Sequence, residues 1–173
     1  MHGKEETTLS DEPVLLFEAV SHGVEDTEAL GRRLGAWLRA LPSPQGSFVA
    51  LYGDLGAGKT AFVRGMASIL TPDAAVSSPT YAIVNEYRGE VLFRHLDLYR
   101  ITGEEDLYSV GYFDFLEEGI IAAEWCENIP DFLPARRIAV TITHCDDRTR
   151  QLRAELHAFD PLPEDLRHFD VSI

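Results

Sequence analysis

Cysteine is scarce in this chain: Cys126 and Cys145 are the only two among 173 residues. Two thiols make no disulfide framework, and a reducing cytoplasm is the expected compartment. Long hydrophobic runs are missing as well. No apolar stretch reaches the ~18 residues that point to a membrane-spanning helix. Positive charge is in short supply, with 15 Lys and Arg against 29 Asp and Glu, a formal net charge of −14. Such a surface repels phosphate backbones, which disfavours autonomous binding of tRNA or DNA and suits docking on a basic protein surface. Cys126, His144, Cys145 and His157 are scattered without metal-ligand spacing, which speaks against zinc. No Asn-Lys-x-Asp stretch occurs, so a guanine-selective site is disfavoured too. Met1 to Pro13 are polar, carry no apolar signal core, and read as a loose leader.

What the chain does have is concentrated in residues 48–66. The strand-type run Phe48-Val49-Ala50-Leu51-Tyr52 leads into Gly53-Asp54-Leu55-Gly56-Ala57-Gly58-Lys59-Thr60, and a helix-type stretch follows. This is the phosphate-binding loop pattern between the strand and the helix it requires. Three glycines let the backbone curl so that successive N–H groups point inward, an anion nest at a helix N-terminus. Leu55, Gly56, Ala57 and Gly58 supply that cradle. Lys59 is suited to bridge the β- and γ-phosphates, and the Thr60 hydroxyl to ligate Mg²⁺. The competing reading is a glycine-rich turn that matches by chance, and the eight matching residues with both flanks in place weigh against it. A nucleoside triphosphate is the expected ligand.

The rest of the chain reads as alternating elements. Val14 to Val20 is of strand type, and Asp26 or Thr27 is placed to cap a helix running to about Leu41. Leu30, Leu34, Trp37, Leu38 and Leu41 make its buried stripe. After the loop helix, Ala82–Tyr87 and Val91–Tyr99 flank a short turn and predict an antiparallel hairpin. Two short helical segments follow, near 104–108 and 112–117. Ile120–Ala123 is a wholly apolar run of buried-strand type ending at Glu124. Arg137–Thr143 and Gln151–Ala158 pair as further strands. The expected fold is therefore α/β, a P-loop NTPase-like three-layer arrangement with a mixed, mainly parallel sheet and an antiparallel hairpin. It forms a single domain over residues 14–158, with a leader over 1–13 and a C-terminal tail over 159–173.

A phosphate loop needs an acidic partner at a neighbouring strand end, to hold Mg²⁺ or orient water. Glu124, reached directly from a buried run, and Asp97, at the end of the hairpin strand, both fit. Thr80 lies in a Ser-Ser-Pro-Thr loop after the loop helix, where nucleotide switches place a threonine; a plain proline turn is the competing reading. Trp125 beside Glu124 reads most simply as core packing. Arg64 and Arg100 are candidates to stabilise transferring charge.

Together, the Gly53–Thr60 loop, Ser78-Pro79-Thr80-Tyr81, His95-Leu96-Asp97-Leu98-Tyr99-Arg100 and Glu124-Trp125-Cys126-Glu127 resemble the TsaE (YjeE) family. The resemblance runs from about Thr27 to Arg150. It implies a bacterial Mg²⁺-dependent ATPase, slow alone, needed for threonylcarbamoylation of the adenosine beside the anticodon of ANN-decoding tRNAs. Such proteins dock on a TsaD–TsaB complex, and the tRNA is met only through that complex. Carried over by position, Leu55 to Thr60 hold the phosphates, with Thr60 and Glu124 on the metal side. Thr80 sits in a switch-like loop, Asp97 assists catalysis, and Trp125 supports the nucleotide site. Thr27 and an arginine of the last hairpin turn, Arg148 or Arg150, meet the adenosine end. The family places a glycine before that arginine, whereas this turn reads Asp146-Asp147-Arg148-Thr149-Arg150.

Two other classes share the loop. A small-molecule kinase would need an acceptor pocket and an arginine-rich lid, neither of which is evident. A non-catalytic nucleotide-gated binding module would bind and switch without turnover.

Overall fold

The apolar run before the glycine-rich loop becomes the middle of a seven-stranded sheet. The computed structural model describes residues 12–42, 44, 46–73, 83–159 and 169. In chain order these form β1 (Val14–Ser21), α1 (Val24–Ala40), β2 (Ser47–Tyr52), α2 (Lys59–Leu70), β3 (Val84–Arg88) and β4 (Leu92–Asp97). Then come α3 (Glu104–Ser109), α4 (Tyr112–Phe115), β5 (Ile120–Glu124), two 3₁₀ turns (Cys126–Asn128 and Pro130–Phe132), β6 (Arg137–His144) and β7 (Arg150–His157).

The sheet order is β1-β7-β6-β2-β5-β4-β3. Its centre is parallel, with β2 between β5 and β6 and β4 beside β5. Both margins are antiparallel: β3 pairs with β4, and β7 pairs with β6 and β1. Burial explains the division. β5 is buried at every residue, and β2 at all but Tyr52, as a sheet covered on both faces demands. Along β7 inward and outward residues alternate, because only one face meets the core.

Helices α1 and α2 cover one face, packing on Val49, Leu51, Ile138, Val140 and Leu152. The opposite face carries Phe48, Ala50, Leu96, Ile121 and Ala123 under α3, α4 and the 3₁₀ turns. Three layers result, as the sequence predicts. Cys126 lies wholly inside the second face, its thiol donating to Ala123 O at 3.2 Å. Burial pushes that thiol well above the usual range, so it is inert.

Two details depart from expectation. The first helix starts at Val24 with Gly23 as its cap, not at Asp26 or Thr27. Asp26 instead sits in the first turn and accepts from the His22 N–H at 2.8 Å. The Thr27 hydroxyl donates back to Gly23 O at 3.2 Å and meets the Ser21 hydroxyl at 2.7 Å. Both capping-type residues work inside the helix, so the start falls earlier. In addition Phe169, in the segment read as a tail, stacks on Phe17 with ring centroids 5.0 Å apart and meets the Trp37 ring edge-on.

The leader lies outside the described residues except for its last two, Glu12 and Pro13. No helix among the described residues is long and apolar enough to cross a membrane.

Candidate functional site

The loop between β2 and α2 is shaped by its glycines. Gly53 has φ +139°, and a Cβ there would stand 2.4 Å from Ile142 O on β6, so only glycine lets the chain leave the sheet this closely. Gly58, at φ +114°, caps α2 and accepts from the Phe62 N–H at 2.9 Å. Leu55 stands at the tip, 83% exposed. Its side chain is outside the cradle, so its contribution there is its backbone.

Lys59 opens α2 and is buried. Its ammonium folds back onto its own loop, donating to Gly53 O and to Asp54 O, the latter at 3.0 Å. It also lies 3.6 Å from the centroid of the Trp125 ring, a cation–π contact. Burial pushes the Lys59 pKa below its ordinary value, and the carboxylates of Glu124, Glu127, Asp97 and Asp54 oppose that shift. The cation is thus held at the loop by carbonyl dipoles, with four carboxylates favouring its charge.

Thr60 is next, and its hydroxyl donates to both oxygens of Glu124, at 2.9 and 3.2 Å. Glu124 ends β5, only 4% exposed, in register with Asp97 at the end of β4 and with Leu51 near the end of β2. Parallel pairing therefore brings two carboxylates and the loop together at the C-terminal end of the central strands. Asp97 accepts the Tyr99 N–H on Oδ1 at 3.0 Å, while its own N–H donates to Ile83 O at 2.8 Å. His95, two residues earlier on the same face of β4, places Nε2 2.7 Å from Glu124 Oε1.

Trp125 adopts a left-handed backbone, φ 64° and ψ 40°, which costs a bulky residue about 1–3 kcal/mol. That turn ends β5 and starts the first 3₁₀ turn. The ring lies against Lys59 and, at 4.9 Å between centroids, against Tyr99. Trp125 thus lines the site as well as packing.

Two clefts flank the loop. One, of about 400 Å³, is lined by Leu55 to Ala61 together with Arg64, Asp97, Tyr99, Glu124 and Trp125. The other, of about 360 Å³, lies across Gly56–Gly58 and is bounded by His22, Thr27, Asp147, Arg148 and Arg150. The sequence-predicted phosphate and metal residues and the two predicted acids, Asp97 and Glu124, converge in the first; Thr27 and both hairpin arginines converge in the second. Thr27 faces Gly58 with its methyl, since its hydroxyl is engaged internally. The last hairpin turn is held by Asp146 Oδ1, which accepts from the N–H groups of Arg148 (2.8 Å) and Thr149 (2.7 Å). These bonds pull the Asp146 pKa below the ordinary value and fix the turn by its side chain. Arg64 reaches the first cleft, but its guanidinium pairs with Glu28 at 3.1 Å. Thr80 lies outside the described residues, and the described chain resumes at Ile83, bonded to Asp97.

Sequence pattern alone assigns no role to His95 or Tyr99. The spacing of His95 and Asp97, two apart on one strand, was the available signal for the first.

The donor set fits Mg²⁺. One hydroxyl and one or two carboxylates, all hard oxygens, suit an ion that takes its remaining ligands from phosphates and water. Among the described residues no group of three or more His, Cys, Asp or Glu is arranged to hold a metal by itself.

A mixed sheet between two helical layers, with a glycine-rich loop leaving its central strand and an acid ending the next, defines a P-loop NTPase-like α/β protein. The family model described as threonylcarbamoyl adenosine biosynthesis protein TsaE matches residues 21–152, and the chain belongs to that family. It is 40% identical over 147 residues to the tRNA threonylcarbamoyladenosine biosynthesis protein TsaE of Nostoc sp., covering 82% of this chain and 86% of the relative. The protein of the same name from Bacillus subtilis is 35% identical over 153 residues, 86% of this chain and 92% of that one. The crystal structure of Bacillus subtilis YdiB superposes with a TM-score of 0.71 at 27% identity, over 93% of this chain and 100% of that one.

Proposed function

We propose that this protein binds ATP with Mg²⁺ and hydrolyses it as an accessory subunit in threonylcarbamoylation of the adenosine next to the tRNA anticodon. It acts in the cytoplasm on a TsaD–TsaB complex and meets tRNA only through that complex. The observation that carries this reading is the direct bond between Thr60 and Glu124 at the mouth of a glycine-rich loop, in a chain of the TsaE family. Relatives named for tRNA threonylcarbamoyladenosine biosynthesis support the pathway.

In this reading the backbone N–H groups of Leu55 to Thr60 hold the phosphates, and Lys59 exchanges its loop carbonyls for phosphate oxygens. Thr60 and Glu124 hold the Mg²⁺, which neutralises charge on those oxygens when bound. Asp97, with one oxygen fixed by the Tyr99 N–H, orients the attacking water. Thr80 belongs to the switch-like segment that responds to the γ-phosphate. Trp125 and Tyr99 wall the cleft against bulk water, and the adenosine end lies across Gly58 against Thr27 and Arg148.

The test is ATP hydrolysis by the purified protein, alone and with a cognate TsaD–TsaB pair. Slow turnover that rises with the pair is the expected result. No turnover in either condition would replace this reading with a nucleotide-gated binding module.

A further inference from the structure

A histidine in a strand facing the core is ordinarily there to be satisfied by its neighbours, and His95 is not. It is completely buried on β4, on the face that carries Phe93 before it and Asp97 after it. Its Nε2 lies 2.7 Å from Glu124 Oε1, and its Nδ1 has no hydrogen-bond partner among the described residues. A buried ring nitrogen without a partner among the described residues has a cost that a leucine or phenylalanine at this position would avoid. Among the described residues, the bond its side chain gains in return is the one to Glu124.

The acceptor fixes the tautomer. A carboxylate can only accept, so the hydrogen is on Nε2 and His95 donates. Glu124 is then held from two directions, by Thr60 from α2 and by His95 from the adjacent strand. These two donors differ in kind. The Thr60 hydroxyl belongs to the metal-side set and would be drawn away when the cation binds. His95 is not in that set, and its backbone is locked opposite Ala122 of β5 and Asn85 of β3.

We infer that His95 is a positioning residue: its Nε2–H anchors one oxygen of Glu124 so that the other stays available to Mg²⁺ when Thr60 lets go. This rests on the Mg²⁺–nucleotide reading above and assigns the second layer of that site. Removing such a partner of a metal-ligating side chain typically weakens metal affinity about 10–100-fold.

Two substitutions separate positioning from mere polarity. In His95→Gln the side-chain amide nitrogen reaches about as far as Nε2, whereas in His95→Asn it stops near the place of Nδ1. Binding of a non-hydrolysable ATP analogue is measured calorimetrically across a Mg²⁺ titration for wild type and both variants, with thermal melts as the folding control. The Mg²⁺ concentration that gives half the affinity gain is expected to rise about tenfold or more in His95→Asn and to stay within about threefold in His95→Gln. Binding of the analogue without Mg²⁺ should be the same in all three. If His95→Asn does not fold, His95→Leu takes its place against His95→Gln. Variants that respond alike to Mg²⁺, whether both like wild type or both impaired, overturn the inference. A wild type whose affinity does not depend on Mg²⁺ overturns the functional reading beneath it instead.

Discussion

On the proposed reading, Lys59 serves two partners in turn. Its ammonium sits on the carbonyls of Gly53 and Asp54 and against the face of Trp125. Those contacts keep a buried cation solvated by the protein and within the loop, so occupying the site requires a short move and no search. Lys59→Ala is therefore predicted to cut TsaD–TsaB-stimulated ATP hydrolysis by about 10²–10³-fold, the usual scale for a preorganised charge. The fold should survive, because burial already penalises this cation and its removal lifts that penalty along with its bonds. Turnover measured beside a thermal melt checks both halves. Full tRNA modification supported by the Lys59→Ala chain would refute the assigned phosphate role. At this scale the sequence was most legible where chemistry demands particular residue types, as at Gly53, Lys59 and Thr60. It was least legible at His95, whose meaning depends on a carboxylate 29 positions away.

Between elements, the decisive contact is the crossing of α1 over α2. A Cβ on Gly31 would stand 2.1 Å from Phe62 O, and one on Gly65 the same distance from Glu28 O. The two helices approach backbone to backbone, which sets where Thr27 meets the loop. Gly31→Ala would gain about 1 kcal/mol of helix propensity if the helix stood alone. Here the clash is with main chain that cannot swing aside, and overpacking of this kind costs about 1–3 kcal/mol or more. The prediction is a net loss of stability in urea unfolding, together with weaker nucleotide binding through displacement of Thr27. A variant as stable as wild type would show that the helices can separate freely. Element types and order were readable from periodicity, including the hairpin and the buried run into Glu124. The start of α1 was not, because Asp26 and Thr27 carry cap chemistry yet bond backward from within the helix. Nor did the pattern reveal that β1 joins β7 at the far margin, a pairing between segments more than a hundred residues apart.

For the molecule as a whole, net charge is the property that bears on partners. At −14 the chain repels a polyanion, and neutralising phosphates with Lys and Arg is what gives non-specific nucleic-acid binding its strength. The prediction is that the isolated protein does not retain unmodified tRNA in a filter-binding assay at physiological salt, and that tRNA joins only when the TsaD–TsaB pair is present. Retention by the protein alone, weakening with added salt, would mean that a local basic surface overrides the balance.

The sequence by itself determined the glycine-rich loop, the α/β class and the two strand-end acids, because each follows from local stereochemistry or from a short-range pattern. Glycines that permit positive φ, an apolar run that must be buried, and a carboxylate ending such a run all act within a few residues of one another. Tertiary structure alone decided that Glu124 bonds Thr60 and His95, that Trp125 turns its ring under Lys59, and that Thr27, Arg148 and Arg150 line one cleft across the loop. Those juxtapositions depend on strand order and register, which many distant side chains set together by filling one core.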